Sequence, residues 1–93
     1  MKYFSWNSDK NTLLKAERQI SFDDVVLYIE MGFLLDILEH PNQDQYKGQR
    51  IFVVNIEGYI YLVPFVENID EVFLKTIIPS RKATKKYLKG DRK

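Results

Sequence analysis

Ninety-three residues, 45% of them apolar, suffice for one folded domain over residues 1–93 with a single core. Zero cysteines exclude disulfides, thiolate metal sites and thiol catalysis and fit a cytoplasmic setting; a single histidine, His40, argues against a protein-built transition-metal site. No apolar run approaches the ~18 residues that span a membrane, no signal-peptide stretch opens the chain, and a formal charge of +1 argues at face value against a polyanionic partner.

In chain order, Tyr3-Phe4-Ser5-Trp6 reads as a short starting strand rich in aromatics. Ser8 is positioned to cap a helix running to about Arg18, with Asp9 in its first turn and Leu13 and Leu14 as its anchors. Ser21-Phe22-Asp23-Asp24 opens a second helix as a capping box, and Phe22, Val25, Val26 and Ile29 follow at helical spacing as a buried stripe ended by Gly32. Residues 33–38 form an apolar run closed by the turn cluster Glu39-His40-Pro41-Asn42, and residues 43–49 read as a loop. Residues 50–56 and 59–66 are two long strands meeting at Glu57-Gly58, a tight-hairpin spacing. Both are apolar on both faces, so the hairpin belongs at the centre of a sheet covered on each side, with Pro64 marking a bulge or an edge. Residues 72–78 make a further strand stopped by Pro79, and residues 80–89 a last helix. The order β-α-α-β-β-β-β-α predicts an α+β fold, an antiparallel sheet of four to five strands with two N-terminal helices and one C-terminal helix.

The last helix changes the meaning of the net charge. Residues 1–79 carry 7 basic side chains against 12 acidic ones, a net −5; residues 80–93 carry 7 against Asp91 alone, a net +6. At 100° per residue Arg81, Lys82, Lys85, Lys86 and Lys89 fall within an arc of about 140°, with Ala83, Thr84, Tyr87 and Leu88 opposite. A solvated basic face explains such a row without any ligand. The first turn is less easily explained, because the helix dipole disfavours Arg81 and Lys82 there, and free backbone donors beside the Ser80 cap favour an anion. Lys75 interrupts an apolar strand just before that junction, either as an edge-strand gatekeeper or as a second phosphate clamp with Arg81. Arg50 opens the central hairpin and either joins them or pairs with Glu67 or Glu57. His40 can serve as a general base but stands in a turn beside Pro41. Tyr59 and Tyr61 alternate onto one hairpin face, as core residues with polar tips or as base-stacking platforms. No nucleophile elbow, phosphate loop, metal motif or paired-carboxylate spacing is present.

These segments resemble the BrnT family of type II toxins, in the RelE/ParE-like group. Trp6-Asn7, Lys10 and Ile20-Ser21-Phe22-Asp23 are similar to the family's opening Trp-Asp, Lys and Val-Ser-Phe-Glu. Gln49-Arg50-Ile51-Phe52 resembles its Glu-Arg strand start. Lys75 followed by Ile77-Ile78-Pro79-Ser80-Arg81-Lys82-Ala83-Thr84 resembles its closing Arg-Ile-Ile-Ser-Ala-Arg-(basic)-Ala-Thr signature. The chain departs from the pattern at Leu14, at Glu17-Arg18-Gln19 in place of Lys-His-Gly, at Lys75 in place of Arg, and at Pro79-Ser80 in place of Ser-Ala.

The resemblance implies an endoribonuclease that arrests translation by cutting mRNA, with no metal or other cofactor, held inactive by a ribbon-helix-helix antitoxin. The RNA's own 2′-OH would attack the adjacent phosphate. Arg81, Lys75 and Arg50 would stabilise the charge that develops, His40 and Tyr61 would carry protons, and Ser80, Lys82, Lys85, Lys86 and Lys89 would hold the RNA backbone. A catalytically silent protein of the same fold, binding a partner or regulating DNA, is the competing expectation.

Overall fold

In a computed structural model, residues 2–89 are described, with the side chain of Lys89 outside that description. The elements are β1 (Tyr3–Trp6), α1 (Ser8–Arg18), α2 (Phe22–Glu30), β2 (Leu34–Glu39), β3 (Arg50–Ile56), β4 (Tyr59–Glu67), β5 (Glu71–Leu74), β6 (Ile78–Pro79) and α3 (Arg81–Thr84), which widens into a π-helical turn over Lys85–Lys89. The α+β class is as expected, but the sheet has six strands and is mixed. Its order is β1-β5-β4-β3-β2, with β6 beside the other half of β4.

Two differences from expectation account for this. The starting strand β1 pairs parallel to β5, Tyr3 opposite Glu71 and Trp6 opposite Leu74, so the sheet is not wholly antiparallel. The strand expected over residues 72–78 is broken at residues 75–77 into β5 and β6. Pro64 sits at that break. Its carbonyl accepts from the Lys75 N–H at 2.8 Å, on the side where β4 changes partner. A residue's N–H and C=O point to the same side of a strand, so the donor that proline lacks falls where no regular strand would have used it.

Local signals set the helix ends. Asn7, one residue before the expected cap, accepts from the Lys10 N–H at 2.9 Å through its side chain and starts α1 directly after β1. Ser21 and Asp24 form the expected capping box at the start of α2. At its end Gly32, with φ +97°, lets the Gly32 N–H reach Ile29 and the Phe33 N–H reach Tyr28, satisfying carbonyls that the helix leaves free. The Phe33 ring then lies 5.6 Å from that of Tyr28. The β3–β4 hairpin turns at Glu57-Gly58, both with positive φ, as the type I′ form of a two-residue hairpin requires.

Helices lie on both faces of the sheet. Leu14, Ile20, Phe22 and Val25 from the α1–α2 side pack on Phe52, Val54, Ile56, Val63, Phe65, Leu74 and Ile77. Trp6 stacks on Phe22 at 5.7 Å, and Phe52 on Phe65 at 3.8 Å. Strand alternation puts Val53 and Ile60, both fully buried, on the opposite face, where α3 packs on β4. No helix among the described residues is long and apolar enough to cross a membrane.

Candidate nucleic-acid interface

Three polar side chains fix α3 to the sheet. Ser80, in extended backbone, accepts from the Ala83 N–H at 3.0 Å through its hydroxyl. The buried Thr84 hydroxyl donates to the Ser80 carbonyl at 2.7 Å and accepts from the Ile60 N–H at 2.9 Å, which ties the helix to β4. Tyr87, in the π-helical turn, donates its phenol proton to Asp36 on β2 at 3.0 Å. Burial first, then the hydrogen bond and charge of Asp36, raise the Tyr87 phenol above its ordinary value, so it stays a donor.

With Ala83, Thr84 and Tyr87 turned inward, the outer surface of this element is cationic. Arg81, Lys82, Lys85 and Lys86 are exposed, and so is Lys75 at the break between β5 and β6. Among the described residues the ion pairs are Lys2–Glu67 and Arg50–Glu67, and none of those five cations takes part in one. Lys82 and Lys86 flank a shallow groove of about 180 Å³ whose floor is Leu38, Leu62, Ala83 and Tyr87. The Lys86 ammonium stands 5.5 Å from the Tyr87 ring centre. An apolar and aromatic floor with a cationic rim offers a base a flat surface and its phosphates a counter-charge.

Two expectations about this element change. Its α-helical part is a single turn of four residues, so the anion preference expected of its first turn is small. Leu88, placed on the sheet side by α-helical spacing, is exposed, because that spacing ends where the π-helical turn begins. The Lys89 side chain, and Asp91, Arg92 and Lys93 from the charge count, lie outside the described residues.

The remaining candidates are dispersed. Arg50 stands opposite Phe65, with its guanidinium 5.3 Å from that ring, and pairs with Glu67, the first of the two carboxylate partners expected for it. Lys2 above all, with Arg50 adding to it, holds the Glu67 carboxyl below its ordinary value, although burial pushes it the other way. Tyr61 stands opposite Pro79, four β4 residues away from Phe65, which at ~3.3 Å per residue separates the Arg50 and β6 levels by about 13 Å. The Tyr61 side chain packs against the α1–α2 core, so it lies across the sheet from the groove that Lys82 and Lys86 border. His40 is at the Arg50 end, following Glu39, which pairs with Arg50. Its ring lies against that of Tyr46, centres 4.3 Å apart and tilted by 30°, and its Nδ1 accepts from the Asn42 N–H at 3.1 Å, the arrangement of a turn-forming histidine. Arg50, His40 and Tyr61 are therefore not gathered around Arg81. Lys75 and Ser80 are anchored to β4 at Pro64 and Ile60, again about 13 Å apart along the strand.

One positioning residue was not singled out from sequence. Arg18, at the end of α1, donates to the Ile77 carbonyl at 2.7 Å and pins the segment between Lys75 and β6. Nothing local marks it, since a cation in the last turn of a helix is ordinary.

No protein-family model, no curated protein and no solved structure matches the chain.

Proposed function

We propose that the chain is an RNA-directed toxin of the RelE/ParE-like kind, in the BrnT family, whose RNA-binding surface is the outer face of α3. One observation carries this reading. Arg81, Lys82, Lys85 and Lys86 are exposed on one short element without ion-pair partners among the described residues, beside a groove floored by Tyr87, Leu62 and Leu38. Cations beside an aromatic surface suit a single-stranded polyanion better than a compact acidic metabolite.

In the reaction that fits these residue types, the RNA 2′-oxygen attacks the neighbouring phosphorus while its proton leaves to a base. The bond to the 5′-oxygen breaks and that oxygen takes up a proton, giving a 2′,3′-cyclic phosphate and a 5′-hydroxyl end. Arg81 is assigned to the developing negative charge, with Lys75, anchored about 13 Å away along β4, on a phosphate further along the chain and Lys82, Lys85 and Lys86 on the backbone. A ribbon-helix-helix antitoxin would silence the protein by covering this face.

The dispersal of Arg50, His40 and Tyr61 supports a second reading, in which the same face binds RNA, DNA or a partner without cutting. Incubating purified chain with cellular RNA and analysing the new ends separates the two. Cleavage is expected to leave 2′,3′-cyclic phosphates, to accompany growth arrest on induction, and to disappear in a folded Arg81→Ala variant. RNA that stays intact while bound favours the silent protein.

A further inference from the structure

On the sheet face away from α3, a cavity of about 370 Å³ opens between α2 and the β3–β4 hairpin. Asp24, Leu27 and Tyr28 wall it from the helix, and Glu57, Tyr59 and Tyr61 from the hairpin. The two-residue turn places Glu57 at the mouth, exposed, with φ +54°. Two residues apart on one strand, Tyr59 and Tyr61 share a face, with ring centres 5.7 Å apart at 65°. The Tyr28 hydroxyl meets the Glu57 carboxylate at 3.5 Å, a long contact that leaves most of that carboxylate's accepting capacity unused.

The cavity is aromatic and negative. Its lining includes two carboxylates, Asp24 and Glu57, and no lysine, arginine or histidine. Burial raises the Tyr28 phenol above its ordinary value, and the Glu57 charge and hydrogen bond and the Asp24 charge push it the same way. One phenol thus feels both carboxylates. A phosphate-bearing ligand is disfavoured here by the same field, whereas a cation gains from it.

We propose that this cavity binds the guanidinium of an arginine side chain presented by a protein partner. The planar group stacks on a tyrosine face while its N–H fork engages the free Glu57 oxygens, a combination that a lysine ammonium cannot reproduce. The volume is at the small end of ligand pockets, enough for one alkyl-guanidinium and its stem. This proposal is independent of the RNA reading, because it uses the opposite face of the sheet and none of the α3 cations.

The test is a backbone-amide NMR titration of the whole chain with N-acetyl-arginine-methylamide, its citrulline counterpart of the same shape without charge, the lysine counterpart, free arginine, and guanosine 5′-monophosphate. The blocked arginine is expected to shift the amides of Tyr28 and Glu57 to Tyr61 in a saturable way, and to bind at least tenfold more tightly than the citrulline, lysine or nucleotide probes. Glu57→Gln should weaken it at least tenfold while the thermal midpoint stays unchanged, and Tyr59→Phe should retain it. Equal binding of citrulline, or Glu57→Gln binding as tightly as the wild type, overturns the cation assignment. Guanosine shifting these amides in place of arginine makes the cavity a base pocket and overturns the proposal, and tighter binding of free than of blocked arginine overturns the protein source.

Discussion

At the scale of single residues, Thr84 ties the candidate interface to the sheet. Its hydroxyl is the acceptor for the buried Ile60 N–H and the donor to the Ser80 carbonyl, with the residue 8% exposed. Thr84→Val keeps the shape and strands the β4 amide, so it should cost about 1–3 kcal/mol. The expected readout is a lower urea midpoint with an unchanged slope; an unaltered midpoint would mean that water replaces the hydroxyl. Arg81 is the converse case. It is exposed and holds nothing among the described residues, so Arg81→Ala should move stability by less than about 0.5 kcal/mol while removing RNA cleavage. A stable, folded and fully active variant would take Arg81 out of the site.

Among the elements, α3 is held by few contacts, and one of them titrates. Tyr87 keeps its proton above its ordinary value of 10.0 because burial and Asp36 disfavour the phenolate. Since the folded value is raised, that stabilisation is complete below pH 10 and is lost as pH rises through the folded value. Near-ultraviolet circular dichroism is expected to show α3 loosening on that rise, with the change reduced in Tyr87→Phe; identical profiles would show that the Asp36 contact is not what ties the turn down. The elements also show how far the sequence could be followed. The α2 boundaries were readable because Ser21, Asp24 and Gly32 act within a turn of their own position, and the Glu57-Gly58 hairpin for the same reason. The break between β5 and β6 was not, because Lys75, Thr76 and Ile77 suit a strand and the interruption comes from distant partners, Arg18 and the missing N–H of Pro64. The parallel seat of β1 on β5 is equally a long-range choice with no local mark. Alternation places Tyr59 and Tyr61 on one face, but only the three-dimensional structure tells that α3 covers the other, which puts Tyr61, expected to carry a proton beside Arg81, across the sheet from the groove that Lys82 and Lys86 border.

For the molecule as a whole, the +1 formal charge conceals a division with spatial meaning. The described cations after Pro79 line one face of α3, while Asp24 and Glu57 stand at a cavity on the other side of the sheet. A protein built this way can present a polyanion site and a cation site at once without either field cancelling the other, because the sheet core lies between them. The claim on which the functional reading turns is that RNA is held by the α3 lysines. It is tested most directly by the salt dependence of single-stranded RNA binding, compared between the wild type and the Lys82→Ala/Lys85→Ala/Lys86→Ala variant by fluorescence anisotropy. At about 0.7 per phosphate contact, losing three contacts should flatten the slope of log affinity against log salt by about 2 and weaken binding at low salt. The same slope and the same affinity in both proteins would contradict the assignment and place the RNA elsewhere.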